Sequence, residues 1–262
     1  MGIDFAVFER LVDLSTRFQP TGRTVMLGRQ AFAIKARHRK LYDEVLRGYG
    51  RPEQRFDFLQ DDGYSENLLK LLGFGDVETM DFSDYQGATL LHDLNRLPAQ
   101  ELENQFDLII DGGTTEHVFN IPVALEGLYR MLSPGGRLIS VNGLNGWYSH
   151  GMYQFTPELV WTFWHRACNC RVHDCRGVPQ RPDQGYDHVV FEDPGQTGRR
   201  LRLRDKIGPG RTYLVYEIEK TPDSHLPDYA LQSDYEAKWQ GAANAGQTRL
   251  SPDAGDPAHR TG

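Results

Sequence analysis

The sequence has 262 residues, 39% of them hydrophobic and 25% charged, which is ordinary for a globular protein that buries a substantial core. Its formal net charge of −7 argues against a nucleic-acid partner, because binding to phosphates requires a basic surface. No apolar run approaches the ~18 residues that cross a membrane, and the first residues contain no apolar signal core, so we expect a cytoplasmic protein without a membrane partner.

Apolar spacing and turn residues predict alternating strands and helices along the first two thirds of the chain. A lead helix over residues 3–17 is expected to pack across the domain or over a substrate opening. The further helices are predicted at 31–47, 64–72, 118–132 and 156–167. The strands are predicted at 24–27, 77–82, 88–92, 106–110, 137–142 and 170–178. This order is typical of an α/β fold, with a Rossmann-like, mostly parallel sheet and helices on both of its faces.

Capping and turn residues set the expected helix ends. Ser65 and Thr156 are expected to cap two of the helices, and the glycines of 133–136 to end the helix at 132. Strands predicted at 188–192, 201–204 and 212–219 have no helices between them, which indicates antiparallel C-terminal additions. From Thr221 onward the composition turns polar. We therefore expect three parts, which are a helical extension (1–22), the α/β domain (23–220) and a polar tail (221–262) that is disordered over 241–262.

Two clusters of polar residues have a structural and a functional interpretation. Cys168, Cys170 and Cys175 alternate with His165 and His173, which are ligand types that zinc prefers. Their spacing differs from a CxxC knuckle, so buried, reduced thiols are favoured over a metal site. The other cluster is basic and comprises Arg199, Arg200, Arg202, Arg204, Lys206 and Arg211. A solvated hairpin is favoured there over a binding patch.

Acidic residues lie at or just beyond three consecutive predicted strands. These are Asp81, Asp93 and Asp111, while Gly28 follows the first strand and Asn142 the fifth. Ligands of open α/β sheets bind beyond the carboxyl ends of the strands, so these positions form a candidate ligand edge. The alternative is that Asp and Asn are present only because they favour turns.

Three motifs in the middle of the chain resemble a known family. They are FDLIID at 106–111, EHV at 116–118 and LSPGGRL at 132–138, preceded by ATLLHDLN at 88–95. Together they resemble the later motifs of class I S-adenosylmethionine-dependent methyltransferases, and the resemblance covers about residues 23–178. It implies a methyltransferase-like domain over 23–220, S-adenosylmethionine as cofactor and a methyltransferase enzyme.

The resemblance also assigns roles to residues at the strand ends. Asp81 would accept hydrogen bonds from the ribose hydroxyls, with Asp84 as the competing candidate, since a carboxylate is an acceptor at both oxygens. Asp93 would hold the adenine amino group, and Leu94 would pack on the ring. Asp111 and the backbone after it would line the methionine portion. For each acid, a turn or capping role is the alternative.

Two features depart from the family pattern. The first loop has the single glycine Gly28 where the family usually has several, so close approach of the cofactor depends on its neighbours. Arg29 is a candidate partner of the cofactor's carboxylate, whereas Phe32 is a candidate obstruction. The stretch 81–88 is also too short for a crossover helix, so either the crossover is tight or the second strand is misplaced.

The glycine-rich segment 142–155 is the predicted acceptor side, because it follows the fifth strand. Tyr153, Gln154 and Asn142 are the candidate substrate-binding residues, and aromatic neighbours offer faces for a small polar acceptor such as a saccharide or secondary metabolite. The alternative is a well-packed surface loop. His150 is the preferred general base and His117 the second candidate, because histidine titrates in the useful range.

Two further expectations concern metals and rival functions. In some members of the family a Glu-His pair at 116–117 binds a divalent metal, but the other ligand position of that site is Gly113 here, so we expect no metal. A non-catalytic methyltransferase-like binding or scaffold subunit is the alternative function, and the sparse first glycine loop favours it. A nicotinamide-dependent dehydrogenase is disfavoured, because GxGxxG is absent at the first turn. The oligomeric state stays open.

Overall fold

An eight-stranded sheet organises the computed structural model, which describes residues 2–203, 205–232, 235 and 239. The strands are β1 (Gly2–Ile3), β2 (Arg23–Leu27), β3 (Ala31–Phe32), β4 (Val77–Asp81), β5 (Leu90–Leu91), β6 (Phe106–Asp111), β7 (Leu132–Asn145), β8 (Arg171–Pro179), β9 (Val189–Val190) and β10 (Thr212–Glu219). The sheet order is β5-β4-β2-β6-β7-β10-β8-β9, and β1 pairs with β3 separately. The first five of these strands are parallel and the last three join antiparallel, which confirms the predicted fold class.

Helices cover the sheet on both faces. They are α1 (Phe5–Ser15), α2 (Arg39–Gly48), α3 (Glu66–Leu71), α4 (Ile121–Met131), α5 (Pro157–Leu159) and α6 (Pro194–Thr197). A π-helical segment, Val160–Ala167, continues α5. No helix among the described residues combines the length and apolar character that crossing a bilayer would take.

Alternate residues of the central strands lie in two buried clusters, one on each face of the sheet. In β6, Leu108 and Ile110 belong to one buried cluster and Ile109 to the other. In β2, Met26 lies in the first cluster and Val25 in the second. Successive side chains of a strand point to opposite faces, so an uninterrupted apolar run forms a strand that is covered on both sides.

Helix α1 packs into the first cluster. Asp4 begins the helix, because its carboxylate accepts a hydrogen bond from the Val7 amide at 3.2 Å. The Asp4 carboxylate also accepts a hydrogen bond from the Tyr213 hydroxyl at 2.9 Å, which ties the helix to β10. Phe8 is fully buried and lies 5.9 Å from the Phe32 ring, so the helix covers this face of the sheet.

Several predicted boundaries were wrong. The predicted helix 31–47 begins instead as β3, and helix α2 starts only at Arg39, because Phe32 is drawn into the core beside β1. The glycines of 133–136 belong to the start of β7 rather than to a turn that ends a helix. Leu201 and Leu203 lie outside any strand, and Arg204 is not among the described residues.

The two expected N-cap positions are confirmed, but the side chains do not cap the helices. Ser65 and Thr156 occupy the cap positions of α3 and α5, but neither side chain makes a capping hydrogen bond. The Ser65 hydroxyl is buried and contacts the Met26 sulfur at 3.4 Å instead. A core contact therefore competes with the capping geometry that the sequence pattern suggests.

The connection between β4 and β5 is a tight, non-helical one, which decides between the two interpretations of the stretch 81–88. Thr79 and Thr89 exchange hydrogen bonds through their backbones and hydroxyls across its base. A turn from Asp84 to Gly87, closed by a 2.8 Å backbone hydrogen bond, reverses the chain. The second strand was therefore placed correctly, at Val77–Asp81.

The predicted tail begins with residues that contact the domain. The His225 amide donates to the Cys168 carbonyl at 2.9 Å, and Leu226 packs against the second buried cluster. The expectation of disorder over 241–262 lies outside the described residues.

Lys220 joins the end of β10 to the corner between α4 and β7. Its ammonium donates to the Asn104 side chain and to the carbonyls of Tyr129 and Leu132 at 2.7–3.0 Å, and burial lowers the pKa of the amine. We expect Lys220→Met to lower the free energy of unfolding by about 2 kcal/mol, because buried acceptors lose their donor. Urea unfolding measures this. Lys70→Met, at an exposed ion pair, is the control and should change stability by less than about 0.5 kcal/mol; equal effects would contradict the account.

Candidate functional site

The carboxyl ends of β2, β4 and β6 meet at one edge of the sheet. Because these strands are parallel neighbours, the structure brings Gly28, Asp81 and Asp111 to this edge. The Gly28 amide donates to the Met80 carbonyl at 2.7 Å, which joins the first loop to the end of β4. The edge thus has the place of a ligand site in an open α/β sheet.

Gly28 is required by the geometry of the first loop. Its φ is +64°, and a Cβ there would lie 3.2 Å from the Thr114 hydroxyl and 3.9 Å from an Asp81 carboxylate oxygen. Phe32, the candidate obstruction, does not enter this space, because its ring is buried against Phe8 in the first cluster. One glycine therefore suffices to bring backbone, hydroxyl and carboxylate together.

Gln30 is a site residue that the sequence analysis did not assign. Its side chain is 3% exposed, and its amide donates to the Leu27 carbonyl at 3.0 Å. The carbonyl oxygen, Oε1, is buried and accepts no hydrogen bond from any described residue. It lies 3.5 Å from where a Cβ on Gly112 would be, directly beside the loop after β6. A buried acceptor without a donor costs about 1–3 kcal/mol, so a ligand that supplies the donor would bind favourably here.

Arg29 does not point a free guanidinium at the edge. It donates to Glu66 at 2.5 Å and to Asp62 at 2.7 Å, and it stacks on the Tyr64 ring at 3.9 Å. These contacts raise the pKa of Arg29, mainly through the hydrogen bond that it donates to Glu66. Arg29 thereby fixes the segment 62–66 against the first loop, and a role toward the cofactor's carboxylate would require it to leave these partners.

Asp93 and Leu94 follow β5. The Asp93 carboxylate accepts hydrogen bonds from the backbone and side chain of Asn95 at 3.0 and 2.9 Å and lies 3.5 Å from Arg96. The Asn95 hydrogen bonds lower the pKa of Asp93. Leu94 is buried in the second cluster. The hydrogen bonds of Asp93 are thus those of a carboxylate in a turn. Asp81 also has a local partner, because one of its oxygens accepts a hydrogen bond from the Phe82 amide at 2.6 Å.

Asp111 is the centre of a buried polar network. It is fully buried and accepts five hydrogen bonds, from the backbone amides of Thr114 and Thr115, the Thr115 and Ser140 hydroxyls and the Asn142 amide, at 2.6–3.3 Å. These hydrogen bonds reach both oxygens of the buried carboxyl group, so neither lacks a partner. Asp111 therefore holds the loop after β6 to the adjacent strand β7.

Glu116 is a second carboxyl in the same network and was not assigned a role from the sequence. It is 1% exposed, and one oxygen accepts a hydrogen bond from Asn142 at 2.8 Å. The other oxygen, Oε1, accepts none from the described residues and lies 3.9 Å from Nε2 of His150. Burial, together with the charge of Asp111, raises the pKa of Glu116 to about 8. At neutral pH this carboxyl is therefore mainly protonated.

His117 and His150 come together beside Glu116. Their ring centroids are 5.1 Å apart, and His150 also lies 4.9 Å from the Trp147 ring. Burial lowers the pKa of both imidazoles, so both are mainly neutral at pH 7. The Arg211 guanidinium stacks on the Trp147 ring, 4.7 Å from the ring centroid. Arg211 is itself exposed, as expected for the solvated basic stretch, and it contacts this group through Trp147.

The segment that carries His150 is fixed to Glu116 through the backbone. The Glu116 carbonyl accepts hydrogen bonds from Met152 at 2.8 Å and Tyr153 at 3.2 Å. A Cβ on Gly151 would lie 2.8 Å from the same carbonyl, so only glycine allows this approach. The arrangement holds the imidazole and the carboxyl at a defined separation.

The three candidate acceptor residues have different surroundings. The Tyr153 hydroxyl donates to the Phe119 carbonyl at 2.7 Å, and the Gln154 side chain accepts from the Trp147 amide at 3.2 Å. Asn142 is fully buried, and its amide donates to Asp111 and Glu116. Tyr153 and Gln154 are accessible at least in part, whereas Asn142 lies inside the network.

Among the described residues, one trio of side chains has the composition and spacing of a metal site. Glu116, His117 and His150 offer ligand atoms that lie within 4.8 Å of one another. The cysteine cluster gives no such group among the residues that the structure describes. Cys168, Cys170 and Cys175 are buried free thiols, and burial raises the pKa of Cys170 to about 11, so it is a neutral core residue.

The edge has features that fit S-adenosylmethionine, the cofactor implied by the motifs. Gly28 leaves room where a side chain would meet Asp81, and Asp81 offers carboxylate acceptors. Gln30 Oε1 is a buried acceptor that the cofactor's ammonium group could satisfy. These are the donor and acceptor types that the ribose and amino-acid parts of the cofactor require.

Comparison with known proteins gives a family match in the first half of the chain. Residues 67–140 match the family model described as a methyltransferase domain, which confirms the resemblance seen in the motifs. No curated protein shows significant sequence similarity to the chain.

Solved structures similar to the chain have low sequence identity. A 1,6-didemethyltoxoflavin-N1-methyltransferase from Burkholderia thailandensis, with bound 1,6-didemethyltoxoflavin and S-adenosylhomocysteine, is 16% identical, with 81% of this chain and 79% of that chain covered and a TM-score of 0.41. A complex of the Haloferax volcanii Trm112 methyltransferase activator with a putative methyltransferase is 14% identical, with 85% and 93% covered and a TM-score of 0.45. A possible histamine N-methyltransferase from Thermotoga maritima is 16% identical, with 82% and 98% covered and a TM-score of 0.36.

Variants of Gln30 test whether its buried oxygen serves the cofactor. Gln30→Met removes the acceptor and should weaken binding of S-adenosylhomocysteine about tenfold by titration calorimetry, because one hydrogen bond to a charged group is lost. Gln30→Glu keeps an acceptor oxygen but loses the hydrogen bond to Leu27, so it should bind at least as tightly as the wild type.

The control is Gln105→Met at an exposed position, which should leave the affinity unchanged. If Gln30→Glu were as damaging as Gln30→Met, the contact with Leu27 would explain the loss, and the role toward the cofactor would be wrong.

Proposed function

We propose that this chain, whose residues 67–140 match a methyltransferase domain, transfers a methyl group from S-adenosylmethionine to an oxygen or nitrogen of a small polar molecule, such as a saccharide or secondary metabolite. The observation that carries the proposal is the pair formed by His150 and Glu116. A neutral imidazole and a protonated buried carboxyl lie 3.9 Å apart at the sheet edge where the cofactor is expected. We propose a cytoplasmic location for this reaction.

On the cofactor side, the residues at the ends of β2, β4 and β6 would hold S-adenosylmethionine. Gly28 and Gln30 face the amino-acid portion, Asp81 the ribose, and Asp93 with Leu94 the adenine. Asp111 acts through the loop that it fixes, because its oxygens are already engaged. Arg29 holds the segment 62–66 beside this site. The cofactor supplies an electrophilic methyl group on a sulfonium, and the chain must orient the acceptor for in-line attack.

On the acceptor side, His150 is the proposed general base, with His117 as the second candidate. Its lowered pKa keeps the imidazole neutral at neutral pH, the state that can take a proton from an acceptor hydroxyl or ammonium. Trp147 packs against one side of the ring and fixes its position. Tyr153 and Gln154, on the same segment, are the proposed contacts to the acceptor.

Glu116 supports His150 through its electrostatics. Once His150 carries the acceptor's proton, the positive imidazolium lowers the pKa of the nearby carboxyl, which then releases its own proton to solvent. The resulting carboxylate stabilises the imidazolium across the 3.9 Å gap. Glu116 is thus a positioning residue that acts through His150.

The second candidate function is a non-catalytic methyltransferase-like subunit. Two observations favour it, because Arg29 is engaged by Glu66 and Asp62, and the Asp93 carboxylate is engaged by Asn95. Thermal unfolding with S-adenosylmethionine, S-adenosylhomocysteine or NAD separates the candidates, since a ligand that binds only the folded state raises the melting temperature. We expect a rise with the first two at millimolar concentration and none with NAD. No rise with either would reject the enzyme and leave the scaffold.

Substitution of His150 tests the proposed base. We expect His150→Ala to lower turnover by about 10²–10⁴-fold, the usual contribution of a general base, while the affinity for S-adenosylhomocysteine stays within about twofold. The assay follows S-adenosylhomocysteine release on a panel of saccharides, phenols and amines, after treatment with EDTA. His117→Ala is the matched control and should have a smaller effect.

Other outcomes would contradict this assignment. Loss of cofactor affinity in His150→Ala would place His150 in the cofactor site instead. Activity that is lost with EDTA and returns with Mn²⁺ would show that the trio of Glu116, His117 and His150 binds a metal.

The raised pKa of Glu116 predicts a pH-dependent stability. The folded state keeps the proton of Glu116 up to about pH 8, whereas the unfolded chain releases it near the ordinary glutamate pKa of 4.5, so stability falls as the pH rises between these values. We expect this loss to be a few kcal/mol in the wild type and absent in Glu116→Gln, whose amide does not titrate. Urea unfolding from pH 5 to 8 measures it, and parallel curves for the two proteins would contradict the burial argument.

A further inference from the structure

A large apolar groove lies beside the candidate site and is not used by the proposed chemistry. It has a cavity volume of about 790 Å³ and is bounded by the start of α4, the segment 153–163 and the segment 226–232. Its floor and walls are mainly apolar, with Ile121, Leu125, Phe155, Leu159, Phe163 and Leu226 among the lining residues. Pockets for small organic ligands have about 300–1,000 Å³ and mostly apolar walls, so the groove has the right size for such a ligand.

The groove adjoins the proposed base through one short segment. Tyr153 and Gln154 line it, and the Tyr153 amide donates to the Glu116 carbonyl at 3.2 Å. The Gln154 side chain accepts from the Trp147 amide, and the Trp147 ring is 4.9 Å from His150. Polar side chains also line other parts of the groove, among them Glu126, Glu158 and Asp228, but Tyr153 and Gln154 connect it to the segment that carries Trp147 and His150.

Exposed apolar side chains surround this part of the surface. Tyr229 in the groove wall is 73% exposed. Phe119, whose carbonyl binds the Tyr153 hydroxyl, is 74% exposed, and Met152 is 63% exposed. Large exposed apolar side chains around a groove are typical of places where a ligand or partner is bound.

We propose that the groove binds an apolar portion, aromatic or alkyl, of the methyl acceptor. The acceptor is then an amphipathic small molecule whose hydroxyl or amine reaches His150 past Tyr153 while its apolar part lies along α4 and Leu159. This inference rests on the proposed function for the identity of the ligand. Continuity with the site favours a small molecule over a second copy of the chain, because Tyr153 and Gln154 line the groove and contact Glu116 and Trp147.

The test is binding of 4-alkylphenols, from phenol to 4-octylphenol, to the protein saturated with S-adenosylhomocysteine. Titration calorimetry should show the dissociation constant falling about fourfold for each methylene added until the groove is filled, the increment expected for burial of a CH₂ group. Leu159→Asn should reduce this increment to nearly none, with phenol itself bound as before. A dissociation constant independent of chain length in the wild type would overturn the proposal.

Two further variants guard against damage to the fold. Tyr229→Ser changes an exposed wall residue and should weaken binding of the long alkylphenols about tenfold without changing the melting temperature. Val190→Asn, at an exposed position on β9 away from the groove, is the control and should bind the whole series like the wild type. If Leu159→Asn instead abolished self-association of the chain and left alkylphenol binding intact, the groove would be a subunit contact and the proposal would be wrong.

The experiment separates failure of the groove from failure of the proposed function. Methylation of phenols with no dependence on chain length would reject the proposed role of the groove and leave the methyltransferase function intact. Chain-length-dependent binding with no methylation of any acceptor on the wider panel would sustain the groove and count against the methyltransferase reaction.

Discussion

Two carboxyl groups buried in one network determine where the reactive side chains lie. Asp111 and Glu116 share Asn142 as a donor, yet their surroundings differ. Asp111 accepts five hydrogen bonds, whereas Oε1 of Glu116 accepts none from the described residues. Burial, together with the charge of Asp111, raises the pKa of Glu116 to about 8, so this carboxyl keeps its proton at neutral pH.

The order of the strands brings the residues of this network together, and the network in turn positions His150. Asp111 ends β6, and Ser140 and Asn142 belong to the neighbouring strand β7, so parallel pairing of the two strands brings these groups together. Glu116 then anchors the segment beyond β7 through its carbonyl and sets His150 at a fixed distance from the protonated oxygen. A buried polar cluster of this kind is stable only when nearly every member has a partner, and Glu116 Oε1 is the oxygen left for the imidazole.

Much of the fold could be predicted from the sequence because the central strands are apolar along their length. The run Phe106–Asp111 and the alternation around Val25 and Met26 leave a covered parallel sheet as the simple solution. The predicted helix 31–47 was right from Arg39 onward but wrong at its start, because Ala31–Phe32 pairs as β3 with β1, a segment about 30 residues away in sequence. Local propensity carries no information about such a pairing.

The candidate site was predicted in part. The positions of Gly28, Asp81 and Asp111 at one edge follow from strand order, and the family motif at 116–118 pointed to the right neighbourhood. The roles of Gln30 and Glu116 could not be predicted, because each depends on one oxygen that lacks a donor, which only three-dimensional packing reveals. The stacking of Arg211 on Trp147 likewise joins residues more than 60 positions apart.

The account stands on the claim that this edge of the sheet transfers a methyl group. The most direct measurement is incubation of the chain with S-adenosyl-[methyl-²H₃]methionine and a fractionated small-molecule extract, followed by mass spectrometry for products that have gained a deuterated methyl group. We expect a labelled small-molecule product with the wild type. The product should be absent with the double variant that carries both Glu116→Gln and His150→Ala. Binding of the cofactor with no labelled product in any fraction would contradict it and identify the chain as a binding subunit.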